Sequence, residues 1–371
     1  MNHKSKNIIC LLFGVSLAVA TILPLGEAIY SARIVFDPAL GRVFWPGKTV
    51  VWRLEGSGRS LWSEYHVRRE RLPTAKERPV VLVLGDSMTQ ALQVDDQDVY
   101  TKRLEDSLRA SGVPAAVLNA GVGNRSMADY VAWAKLYQGL FSPDWVVVEV
   151  TWCDFQEALE ATRPAHFRRN VTNECLEVVA PPPPSRPGRA FRAFASLPDV
   201  LADRLTFAYP AYRAREFTKW VRNEPPWFHA PAPRPAEENG VQNLGFPEAR
   251  RPQSADLAGT NGSLLISKEL DLLKKTWHGR ITLLLLTSYN PLGAPELRPD
   301  EMEIDALARK KGLSIVRLDE GFGRLPPGVS PYGFNNLGGY NTGHMNPRGH
   351  QLAADLLAAE LKRIASANDL F

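Results

Sequence analysis

Five branched apolar residues, Val80-Val81-Leu82-Val83-Leu84, run without a break into Gly85-Asp86-Ser87-Met88-Thr89. A strand with no polar alternation has both faces covered, as in a parallel sheet with helices on each side. The glycine ends the run abruptly, and the residues after it suit a helix. Such a segment carries its serine to the carboxyl edge of the sheet, where open α/β folds build their sites. Near the far end of the chain, Gly343-His344-Met345-Asn346-Pro347-Arg348-Gly349-His350 offers a matching histidine just before a helix start.

The spacing of apolar residues predicts a helix over Tyr100–Ala110, a strand over Val113–Leu118, a helix over Met127–Leu140 and a strand over Trp145–Val150. After residue 262 the rhythm resumes, with helices expected at Leu264–Trp277, Glu301–Lys311 and Pro347–Ile364. Strands are expected at Ile281–Thr287 and Ser314–Leu318. Strands alternating with helices imply right-handed crossovers and a parallel sheet. The expected architecture is a three-layer α/β/α sandwich of flavodoxin-like topology.

Residues 1–28 read differently. Lys4 and Lys6 precede an uncharged stretch from Ile8 to Gly26, about long enough to cross a bilayer as a helix. Basic residues before the span favour an inside N-terminus and put the remainder outside the cytoplasm. An uncleaved anchor is expected, because the apolar region is long and no clean Ala-x-Ala site follows. A secreted protein released by signal cleavage is the competing reading. Residues 29–78 form a membrane-proximal linker that packs on the main domain or spaces it from the bilayer. Residues 79–371 form the main domain, with a proline-rich insertion at about 156–262 that includes Pro181–Pro184.

Hydrophobic residues make up 44% and charged ones 23% of the 371, which excludes a disordered chain. A net charge of +4 is too small to point to nucleic acid, and none is expected as a partner. No zinc-finger spacing, Walker loop or dinucleotide fingerprint is present. No metal and no cofactor are therefore expected. Export would leave Cys153 and Cys175 where a bridge is allowed, although Cys153 lies where a site is expected.

The two blocks around Ser87 and His344 together resemble the SGNH, or GDSL, hydrolases. The likeness covers roughly residues 79–160 and 264–365, and extends loosely to Asp37-Pro38-Ala39-Leu40-Gly41, which resembles the lead-in of membrane-anchored bacterial members. It implies Ser87 as nucleophile and His344 as base, with the Ser87 amide and Gly121 in an oxyanion hole. The family's third block, Gly-x-Asn-Asp, corresponds to Thr151-Trp152-Cys153-Asp154, so Cys153 stands where an asparagine donor is expected. A thiol is the weaker donor, which makes Asn124 a substitute candidate. The family's aspartate three residues before the histidine is replaced by Asn341. Asp319 and Asp154, each ending a strand, are candidates to orient His344 in its place, and a dyad positioned by backbone carbonyls is a further possibility. His350 is expected to cap or pack.

The function implied is hydrolysis of O-acyl, above all O-acetyl, esters on extracytoplasmic glycans or lipids through an acyl-serine. Two alternatives remain open. One is a polysaccharide O-acyltransferase using the same residues beside envelope polysaccharide machinery. The other is a non-catalytic relative that binds glycan or a partner.

Overall fold

A computed structural model describes Gly14 and residues 34–37, 40–52, 55–63, 65–74, 76–159, 165–169, 176–179, 262–289, 297–326, 329–334 and 343–366. The chain divides into two compact units, residues 1–35 with 185–244 and residues 36–184 with 245–371. Apart from Ile34 and Val35, the architecture described here belongs to the second.

Strands β1 (Ile34–Asp37) and β2 (Gly41–Phe44) come first. They are followed by an antiparallel hairpin of β3 (Thr49–Trp52) and β4 (Gly58–Leu61), in which Thr49 faces Leu61 and Trp52 faces Gly58. Then come β5 (Val80–Leu84), the single helical turn α1 (Ser87–Gln90) and α2 (Tyr100–Ala110). Next are β6 (Ala116–Asn119), α3 (Met127–Phe141), β7 (Trp145–Val150) and α4 (Trp152–Glu157). A second hairpin, β8 (His166–Arg169) with β9 (Leu176–Val179), lies in the expected insertion. The chain continues through α5 (Gly262–Thr276), β10 (Arg280–Leu285), α6 (Pro299–Lys310), β11 (Ser314–Arg317) and α7 (Pro347–Ser366).

Five strands form one parallel sheet in the order β11-β10-β7-β5-β6. Numbered by their own succession, this is the doubly wound order 2-1-3-4-5, whose switch point lies between β5 and β7. Every residue of β5, β6 and β7 is buried, which explains their unbroken apolar runs. On one face Val81, Val83, Val117, Val147 and Leu284 pack with Tyr100, Leu104 and Leu108 of α2 and Leu352, Leu356, Leu357 and Leu361 of α7. On the other side α3, α5 and α6 pack in series. Each such buried Val or Leu contributes roughly 1.5–3 kcal/mol relative to exposure. The alternation read from the sequence gives these elements to within a few residues. The exception is the strand expected from Val113, which starts at Ala116 because Pro114 cannot donate to a ladder.

Among the described residues no helix is long and apolar enough to cross a membrane. The stretch from Ile8 to Gly26, apart from Gly14, lies outside them, as do Cys175 and Asn341.

Candidate functional site

Strand β5 delivers its chain end to the switch point. A Cβ on Gly85 would lie 2.1 Å from Thr89 Oγ1 and 2.5 Å from Glu149 Oε2, so only glycine permits the turn there. Asp86 caps α1 by accepting from the Met88 N–H at 2.9 Å. The Asp86 N–H itself donates to Glu149 Oε2 at 3.1 Å, and Thr89 Oγ1 donates to the same oxygen at 2.9 Å. Ser87 is thus held at the first position of a short helical turn whose two ends are both fixed.

His344 comes from the opposite end of the chain and lies 3.0 Å from Ser87 Oγ through Nε2. Its motif is a docking device. Asn346 caps α7 by accepting from the Arg348 and Gly349 amides at 3.0 and 3.2 Å, and donates to the Ser330 carbonyl at 2.8 Å. Pro347 takes the first helical position, where an amide is dispensable. A Cβ on Gly349 would lie 2.2 Å from the Pro331 carbonyl oxygen. His350 stacks on Tyr100 with ring centroids 5.9 Å apart. Burial, aided by the charges of Arg68 and Arg103, pushes its pKa down to about 3, so it is a neutral packing residue.

The other nitrogen of His344 is held by a residue that the sequence did not nominate. Glu55, in the turn between β3 and β4, takes Nδ1 at 2.5 Å through Oε2 and accepts the His344 main-chain N–H at 2.8 Å through Oε1. Burial pushes the Glu55 carboxyl up, but the hydrogen bonds and charge of His344 outweigh it and hold the group below its ordinary value. An ionised carboxylate can only accept, so Nδ1 carries the proton and Nε2 is left to accept from Ser87. Gly343, at φ +90°, makes room: a Cβ there would sit 2.2 Å from Glu55 Oε1.

Both ring nitrogens of His344 are therefore occupied, which corrects two expectations. Asp154 does not orient the histidine. It belongs to the capping box of α4, accepting from the Thr151 amide and hydroxyl at 2.6 Å each and from Tyr130 Oη at 3.1 Å. Asp319 does not either, being buried against Arg317 at 3.2 Å. Asn341 lies outside the described residues, and the nitrogen it was expected to reach is taken by Glu55.

The oxyanion side also differs from expectation. The Gly121 N–H already donates to Asn119 Oδ1 at 2.9 Å, so it is not free to face the site. A Cβ on Gly121 would lie 2.4 Å from the Gln90 nitrogen, and that close approach accounts for the glycine. Gly123 is the glycine beside the serine, since its Cβ would lie 3.5 Å from Ser87 Cβ. Asn124 follows it in the left-handed conformation at φ 64°. The Cys153 thiol is free and lies 2.9 Å from Thr151 Oγ1. Burial, reinforced by Asp154, pushes its pKa well up, so it stays a neutral thiol. The Ser87 amide, at the start of α1, lacks an intrahelical partner by construction.

Behind the serine lies a buried acidic group. Burial, then the charges of Asp86 and Asp154, pushes Glu149 well above the carboxylate range, and burial with Asp86 does the same to Asp154. Glu269 on α5 is fully buried with neither oxygen hydrogen-bonded, and burial with Asp154 raises it likewise. In each of these carboxyls burial favours the neutral form.

Sequence reasoning missed Glu55 because no motif surrounds it. A faint signal exists in the Gly56-Ser57-Gly58 turn between two apolar stretches, which suits a hairpin with one acid at its tip.

No protein-family model matches the chain, and no curated protein does either. Among solved structures, the chain is similar to TesA at 12% identity and a TM-score of 0.37, over 77% of this chain and 99% of that one. It is similar to a catalytic mutant of Axe2, an acetylxylan esterase from Geobacillus stearothermophilus, at 12% identity and a TM-score of 0.37, over 77% and 94%. A putative lipolytic protein of the G-D-S-L family from Desulfitobacterium hafniense follows at 9% and 0.34, over 76% and 99%. Likeness at these scores carries no inference about activity.

Proposed function

We propose that this chain is a serine esterase of the SGNH type in which Ser87 is the nucleophile, His344 the general base and acid, and Glu55 the orienting carboxylate. The observation that carries the reading is the unbroken relay from Ser87 Oγ through both nitrogens of His344 to Glu55, with links of 3.0 and 2.5 Å. A serine hydroxyl needs a base in contact and a third group that fixes the base. A merely structural histidine has no need of that arrangement.

In the proposed reaction Ser87 Oγ bonds to the ester carbonyl carbon while its proton passes to His344 Nε2. Glu55 stabilises the resulting imidazolium. The tetrahedral oxyanion is met by the amides of Ser87 and Gly123, with Asn124 nearby in the chain. Its collapse breaks the bond to the alkoxide, which leaves with the Nε2 proton. Water then attacks the acyl-serine by the same route, releasing the acid and restoring the serine.

The substrates proposed are O-acyl esters, O-acetyl above all, on glycans or lipids outside the cytoplasm. The support is the basic-flanked apolar stretch at the N-terminus, the resemblance of the Ser87 and His344 blocks to SGNH hydrolases, and the looser resemblance of Asp37-Pro38-Ala39-Leu40-Gly41 to the lead-in of membrane-anchored members. Incubating the full chain with a fluorophosphonate probe and with p-nitrophenyl acetate tests the reading. Labelling and turnover are expected, and both should vanish in Ser87→Ala. Labelling that persists in that variant would remove Ser87 from the role, and faster release of acyl groups to an oligosaccharide than to water would favour a transferase.

A further inference from the structure

The acid and the nucleophile sit on separate pieces of chain, so something must fix their spacing. A heavily used buried side chain near both is Arg68, whose side chain is only 1% exposed. Its Nε donates to Asp96 Oδ1 at 2.6 Å. Its Nη1 donates to the carbonyls of Gln90 and Ala91 at 2.9 and 2.6 Å. Its Nη2 donates to the Val94 carbonyl at 2.7 Å and the Arg59 carbonyl at 3.4 Å. All three guanidinium nitrogens therefore donate.

The acceptors are the telling part. Gln90 and Ala91 close the helical turn that begins at Ser87, where Ala91 is in the left-handed conformation at φ 53°. Carbonyls at such an end have no partners within the helix. Arg59 lies on β4, four residues after Glu55. Asp96 accepts Arg68 on one oxygen and the Leu61 amide of β4 on the other at 3.0 Å, while neighbouring Asp95 accepts the Arg59 amide at 2.8 Å. The Arg68 amide donates to the Asn119 carbonyl at 2.7 Å. Asn119 in turn holds the Gly121 amide and donates to the Thr89 carbonyl at 2.7 Å. Glycines allow this approach, because a Cβ on Gly58 would lie 2.3 Å from the Leu92 carbonyl oxygen.

We propose that Arg68 is a positioning residue of the active site, the clamp that fixes the Glu55 hairpin against the Ser87 turn and the loop leading to Gly123. The proposal rests on the esterase reading. Arg68 touches no reacting atom, and it acts through Glu55 and Ser87. The planar fork matters, since a lysine supplies one compact point charge and cannot span five acceptors.

A double-mutant cycle in the full chain tests it, reading the fluorophosphonate labelling rate and its pH profile for Arg68→Met, Glu55→Gln and the pair. Arg68→Met should slow labelling by about 10²-fold, the size expected when catalytic groups lose alignment by about 1 Å. In the Glu55→Gln background the same change should cost under about threefold, because the two act in one chain of contacts. The acidic limb of the profile should move to lower pH in Arg68→Met as in Glu55→Gln. Arg68→Lys should restore little.

Should Arg68→Met fail to fold, Asp96→Asn carries the test, because it weakens the clamp from its exposed side. A slowing of roughly 3- to 10-fold with the same limb shift is expected there. An equal loss from Arg68→Met with and without Glu55, or an unmoved pH profile, would overturn the proposal. So would Asp96→Asn labelling at the wild-type rate where Arg68→Met is unfolded. A wild-type chain that takes no label would instead count against the esterase reading itself.

Discussion

The sheet side and the hairpin side of the site are built by different physics. Ser87 rides on β5, whose five residues are wholly buried and paired on both edges. Burial of apolar area fixes it, and that force reads directly as a run of Val and Leu. Glu55 rides on a two-stranded hairpin of four-residue strands, a unit too small to be stable alone. Val50 is buried in it, but its ties to the Ser87 side are polar, namely Arg68, Asp95, Asp96 and the Ser57 amide on the Gln93 carbonyl at 3.1 Å. The lesson is that half of the catalytic geometry is set by hydrophobic packing and half by a hydrogen-bonded clamp. The two should fail differently.

Removing the nucleophile should have the largest effect. Ser87→Ala is expected to lower p-nitrophenyl acetate turnover by about 10⁴-fold or more, with little change in melting temperature. Removing the charge on the hairpin side comes next. Glu55→Gln should cost roughly 10²- to 10⁴-fold in kcat. The acidic limb of its pH–rate profile should move to lower pH, because a neutral amide no longer favours the imidazolium. Equal losses of stability in both variants would erase the contrast between the two sides.

Gly343→Ala probes the contact between them. Its Cβ would fall on the Glu55 carboxylate, at a φ that L-residues rarely adopt. Activity should drop by about 10- to 10²-fold, and stability by roughly 1–3 kcal/mol. An unchanged kcat would mean that Glu55 is free to retreat.

The sheet side has its own pH signature. Glu269 is fully buried and its pKa is raised by burial and by Asp154. Wild-type stability is therefore complete below the ordinary glutamate value and falls as pH rises through it toward the folded value. Glu269→Gln cannot ionise, so its stability relative to wild type should be greater at pH 8 than at pH 4. Urea melts at the two pH values decide this, and a pH-independent gap would refute it.

Glu77 gives the opposite signature on the approach to the sheet. Burial pushes it up, but Arg71, the Thr74 amide and Arg69 outweigh that and hold it down to about 2. Its contribution is present above the ordinary glutamate value and is lost as pH falls toward 2. Glu77→Gln should melt lower than wild type at pH 6, and the two should converge in acid.

Legibility followed the same divide. The parallel sheet, the five longer helices and the placement of Ser87 and His344 at one rim were readable, because apolar runs and the Asn-Pro-x-Gly cap are local signals. Glu55 was not, since a carboxylate 32 positions before the serine leaves no trace in periodicity. Asp154 and Asp319 looked suitable because both end strands, yet Thr151 and Arg317 already engage them. Gly121 misled for a similar reason. Its glycine answers a packing need beneath Thr89 and Gln90, while Gly123 lies beside the serine.

One measurement tests the central claim most directly: the second-order rate of fluorophosphonate labelling at Ser87 in wild type, Glu55→Gln and Asp319→Asn. If the acid of the relay comes from the hairpin, Glu55→Gln should label at least about 10²-fold more slowly while Asp319→Asn stays within about threefold. A large loss in Asp319→Asn with Glu55→Gln near the wild-type rate would contradict it.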